Sequence, residues 1–117
     1  MSYTFEIDGE CVWDPSLRTG QWYLASAEAA AAFLGCQTGL TPQEDGTCTV
    51  NFATFRVFVD AVLQFYSSTR HPVQHALTRG LLLTSLVILE RGGGAITPRS
   101  PREEEVISAA VEFSRAM

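Results

Sequence analysis

The chain has 117 residues, 46% hydrophobic and 18% charged, enough for one domain with a real core and too little for two. Eight basic against thirteen acidic residues give a net charge of -5, which argues against a nucleic-acid binder and against docking on an anionic membrane surface. Every basic residue is an arginine, so Schiff-base and lysine-nucleophile chemistry is excluded.

The opening residues, Met1 to Asp8, carry no basic segment and no long apolar run, so no secretory signal is expected and the cytoplasm is the default location. Tyr3 to Ile7 alternates weakly and leads through Asp8-Gly9 into Cys11-Val12-Trp13, which predicts a short hairpin with a type I′ turn over residues 1–13. Asp14 and Pro15 supply an N-cap and a first-turn proline for an alanine-rich helix over 15–34 that Gly35 ends, with Gly20 its weak point. Residues 36–50 hold Gly39, Pro42 and Gly46 and form a loop in which Thr47 to Val50 can be extended.

Asn51 can cap a second helix over 52–68, and Pro72 opens a third over 73–91 that Gly92-Gly93-Gly94 ends. Ser100-Pro101 followed by Glu103, Glu104 and Glu105 starts a fourth helix over 101–116, since acids favour the positive end of the helix dipole. The economical fold is mainly α: a single helical domain, 1–117, built as a four-helix bundle with a short N-terminal β-hairpin. The apolar run Leu81 to Leu89 is too short for a membrane span and belongs to a buried helix.

At 100° per residue, the second helix gathers Phe52, Phe55, Phe58, Val59, Val62, Leu63, Phe65 and Tyr66 in one broad sector opposite Arg56, Asp60 and Gln64. Two helices are two-sided. The third sets Ala76, Leu77, Gly80, Leu81, Thr84, Val87 and Ile88 on one face, which a bundle would bury, and Leu82, Leu86 and Leu89 on another. The first sets Leu17, Leu24, Ala27, Ala31 and Leu34 against Trp22, Ala29 and Phe33. The low charge and these second faces predict a surface that something covers: a second copy in a homodimer, the hairpin with Tyr3 and Trp13 folded back, or an apolar small molecule. Trp22, Phe33, Leu82, Leu86 and Leu89 are the expected ligand or interface residues.

Candidate chemistry is sparse. His71 and His75 have i, i+4 spacing, but no third ligand sits nearby, so no metal is assigned. His75 as acid or base, Arg79 as anion clamp and Tyr66 from the second helix form the candidate catalytic set, with Asp60 a further member and Glu90 about 22 Å along the helix, too far to join them. Cys11, Cys36 and Cys48 are odd in number and fit ordinary thiols in a reducing compartment. The glycine run beside Arg91, Arg99 and Arg102 is a connector rather than a P-loop, because neither a preceding strand nor a Gly-Lys-Ser/Thr ending is present.

The stretch from Asp8 through Trp13, Pro15 and Gly20 to Gln21 resembles the opening of small actinobacterial proteins grouped as a domain of unknown function, and His71-Pro72 before the leucine-rich helix is similar as well. The resemblance implies a bacterial, cytosolic origin and no activity. The expected function is that of a non-catalytic helical binding protein, homodimeric, engaging a protein partner or sequestering an apolar small molecule without a cofactor. The alternative is a small enzyme or resistance factor acting on a hydrophobic metabolite in a cavity between the second and third helices.

Overall fold

The computed structural model describes residues 1–117, and its internal contacts fall into two compact units, Met1–Phe58 and Val59–Met117. The first is a sheet with a helix. The strands β1 (Thr4–Ile7), β2 (Glu10–Trp13), β3 (Leu40–Pro42) and β4 (Thr47–Val50) form one sheet in the order β2-β1-β4-β3. β1 pairs antiparallel with β2 and parallel with β4, and β3 pairs antiparallel with β4. The expected four-helix bundle with a hairpin is therefore corrected to an α/β fold: the hairpin exists, but as half of a mixed four-stranded sheet.

The turn is the one the sequence calls for, with positive φ at both Asp8 (51°) and Gly9 (81°). The parallel pairing of β1 and β4 needs a crossover, and α1 (Leu17–Leu34) lies in that connection. Tyr3, Phe5 and Ile7 of the first strand segment are buried with Val12, Trp13, Cys48 and Val50. Phe5 stacks on Trp13 at 5.2 Å and meets Tyr23 of α1 edge-on at 5.6 Å, which fixes the helix against the sheet. Gly20 is not a weak point but a requirement: a Cβ there would lie 2.6 Å from the Tyr3 ring.

α1 also starts later than its cap signal suggests. Asp14 accepts a hydrogen bond from the Thr4 hydroxyl at 2.8 Å, and the Pro15 carbonyl accepts from the Tyr3 amide at 2.9 Å, so residues 14 and 15 stay paired to the first strand segment. Ser16 caps the helix instead, accepting from the Thr19 amide.

The second unit holds the end of α2 (Phe52–Ser68), α3 (Pro72–Arg91), α4 (Pro101–Phe113) and a closing 3₁₀ turn (Ser114–Ala116). His71 caps α3 through Nδ1, which accepts the Val73 amide at 3.2 Å, and Ser100 caps α4 by accepting the Glu103 amide. The glycine run closes α3, with the Gly92, Gly93 and Gly94 amides donating to the carbonyls of Ile88, Glu90 and Leu89. Glu103 is buried and accepts from the Arg99 amide and Nε and from the Ser67 hydroxyl, while Arg99 reaches on to Asp60 at 2.6 Å.

Candidate functional site

Two regions gather the residues singled out in the sequence, one in each unit. In the first unit, α1 presents Gly20, Tyr23, Ala27 and Ala31 inward, an i, i+3, i+7, i+11 stripe, and is closed by Gly35 at φ 73°. Its other face is open: Trp22 is 77% and Phe33 73% exposed. They lie eleven residues apart, so the two rings sit about 16 Å from each other along the helix and within about 20° of the same direction around it. Ala25, Ala29 and Ala32 between them are exposed, and Ser26 spends its hydroxyl on the Trp22 carbonyl at 2.9 Å. The helix has two charged residues, Arg18 and Glu28. Glu28 is off this face and accepts the Thr38 hydroxyl at 3.0 Å beside an open pocket of about 400 Å³ lined also by Cys36 and Leu40.

In the second unit, Tyr66, His75 and Arg79 come together. The His75 ring stacks on the buried Tyr66 ring at 3.9 Å, and Arg79 Nη1 donates to the Tyr66 hydroxyl at 2.5 Å. Glu105, which the sequence reading missed, receives both arms of the guanidinium at 3.1 and 3.2 Å. Its glutamate run was read as a response to the helix dipole, and only the α3–α4 packing brings it to Arg79. The hydrogen bonds that Arg79 donates to Glu105 and then to the Tyr66 hydroxyl push its pKa up, so the guanidinium stays charged and tied. The group borders an open cleft of about 370 Å³ with Pro101 and Arg102. Arg102 donates to the Ser67 and Thr69 carbonyls and closes the end of α2. Asp60 is engaged by Arg99, and Glu90 is exposed at the far end of α3, away from this group.

The third-helix leucines need correction. Leu82, Leu86 and Leu89 are 0%, 7% and 1% exposed, so they form no surface within reach of a partner. The reason is that Leu82, Leu83 and Ser85 to Leu89 are buried on every side, as in a core helix rather than a two-faced one, and Ser85 satisfies its hydroxyl on the Leu81 carbonyl. The surface on α3 lies a turn or two earlier and on the face expected to be core: Val73, Ala76, Leu77 and Gly80 are exposed. Cys48 is buried and its thiol is pushed up to about 11 by that burial, Cys11 is exposed, and all three cysteines are free. No group of three His, Cys, Asp or Glu side chains is placed to hold a metal ion.

A protein-family model described as a family of unknown function (DUF6086) matches residues 1–117, in keeping with the resemblance carried by residues 8–21. No curated protein and no solved structure matches the chain.

Proposed function

The chain belongs to this family of unknown function, and from the surfaces just described we propose that it is a non-catalytic binding protein, acting in the cytoplasm, whose working surface is the open face of α1. The observation that carries the reading is the pair Trp22 and Phe33, both about three-quarters exposed on one side of one helix. Large aromatics mostly exposed on one side of a helix, with no carboxylate on that side, are the composition of a contact surface. The free thiols Cys11, Cys36 and Cys48 agree with a reducing compartment.

The cleft supports catalysis less well. Arg79 already has Glu105 and the Tyr66 hydroxyl as partners, so an anionic substrate would have to displace a carboxylate held by two hydrogen bonds. His75 would be left to act alone.

The reading is tested in cells that make the full chain, with a photo-reactive side chain in place of Ala29. A discrete cross-linked species that disappears when Trp22→Ser is added is the expected result, and the same probe in place of the exposed Glu104 gives none. Absence of any adduct at position 29 contradicts the proposal.

A further inference from the structure

We infer that the pocket at the C-terminal end of α1 binds an organic monocation, an ammonium or guanidinium group on a short apolar stem. The site is built from groups other than Trp22, so it stands whether or not the open face of the same helix is a contact surface.

The pocket holds about 400 Å³ and is made by one turn of helix and the loop that leaves it: Glu28, Ala31 and Ala32 stand at i, i+3 and i+4 on α1, and residues 36–41 close the other side. Ala31 and Leu40 are buried and supply apolar wall. The donors of the wall are largely spent. The Thr38 hydroxyl donates to Glu28 Oε1 at 3.0 Å, the Leu40 amide donates to the Thr38 hydroxyl oxygen at 3.0 Å, and the Cys36 amide donates to the Ala31 carbonyl at 3.0 Å. The strongest acceptor is not. Glu28 is exposed and in no ion pair, and it uses one carboxylate oxygen on a neutral hydroxyl, which leaves Oε2 open.

Charge points the same way. Glu28 is the one charged residue lining the pocket. α1 ends here, so the carbonyls of its last turn carry the negative end of the helix dipole, and that turn holds no basic residue to offset it. An anion would meet a carboxylate and a negative helix end. A bare divalent ion takes about six oxygens or more, and no group of three His, Cys, Asp or Glu side chains is gathered to supply them. An N–H cation satisfies the open oxygen through a charge-assisted hydrogen bond while its stem lies against Ala31, Ala32 and Leu40. Ala32 is also on the exposed side of α1, so the cation has two sources: a free amine, or a lysine or arginine side chain of a protein docked on that side.

The test uses the purified, isotope-labelled full chain titrated with n-butylammonium chloride. Amide shifts confined to the neighbourhood of Glu28 and residues 36–41, with roughly millimolar affinity, are expected, and n-butanol should give none of them. Glu28→Gln keeps an oxygen for the Thr38 hydroxyl, so its spectrum should otherwise match the parent chain, while its affinity should fall roughly fivefold. Glu104→Gln, at an exposed site on α4, should bind as the parent does. No shifts at these residues, equal shifts with butanol, or unchanged affinity in Glu28→Gln overturns the inference. The source is read in cells: with Glu28→Gln the adduct at position 29 falls if a partner's side chain supplies the cation and stays if the ligand is a free amine. If the parent chain gives no adduct at position 29 while butylammonium binds, the α1 surface is wrong and the pocket stands.

Discussion

The open face of α1 and the cleft beside Tyr66 differ in how their groups are used. In the cleft the titratable groups are gathered but largely spent on one another: Arg79 is held by Glu105 and Tyr66, and Arg102 by two carbonyls. On the outer face of α1 the Ser26 hydroxyl is already bonded to the Trp22 carbonyl, and Trp22 and Phe33 are about three-quarters exposed. A cluster of chemically capable residues is therefore a weaker sign of a site than an apolar surface that the chain leaves open. The hydrogen bonds of the cluster already explain why it exists.

Changes at the two regions and in the core separate these roles. Leu86→Ala should cost about 2–5 kcal/mol in urea unfolding, as for any well-packed core leucine, whereas Trp22→Ser in the purified chain should stay within about 0.5 kcal/mol. Near-equal costs would return Leu86 to the surface and erase the contrast. The next effect lies in the sheet that supports α1. Burial raises the Cys48 thiol from an ordinary 9.0 to about 11, and burial raises Tyr3 beside it. Below pH 9 both folded and unfolded thiols are protonated and the full stability is present; between pH 9 and 11 the unfolded chain loses its proton first, so stability falls. Denaturation midpoints followed across that window should decline, and Cys48→Ala should flatten the Cys48 part of the decline.

Smaller effects belong to the cleft. Arg79→Met should lower stability by about 1 kcal/mol, since Arg79 and Glu105 are partly exposed and screened and only the Tyr66 hydroxyl lies deeper. His75→Gln should change neither stability nor cross-linking at position 29. A loss of cross-linking there would move the function to the cleft and reverse the comparison.

The helices were legible because their ends carry local chemistry: Gly35 at positive φ, Pro72 behind His71, and Pro101 behind Ser100. The hairpin turn was legible in Asp8-Gly9 for the same reason. The sheet was not, because β3 has three residues and β4 four, too short for a periodic signal, and β4 pairs with a strand some forty residues away. Gly20 looked like a flaw in a helix because its role depends on Tyr3, seventeen positions earlier in the chain. On α1 spacing set Trp22 and Phe33 on the exposed side, but of the expected inner stripe only Ala27 and Ala31 are buried, and Gly20 and Tyr23 complete it. On α3 the spacing misled: the leucines are buried all round, and the exposed residues sit on the face that looked like core. Tyr66, His75 and Arg79 were each legible as chemical types, but their fourth member, Glu105, arrives from another helix.

Trp22 provides the most direct reporter of whether α1 is a contact surface, because the other tryptophan, Trp13, is 6% exposed and forms a quiet background. Acrylamide quenching of the purified chain should be strong, and in the adduct formed through the probe at position 29 it should be markedly weaker, because the occupant covers the indole. Quenching as strong in the adduct as in the free chain, with Trp22 reached equally in both, would contradict the account.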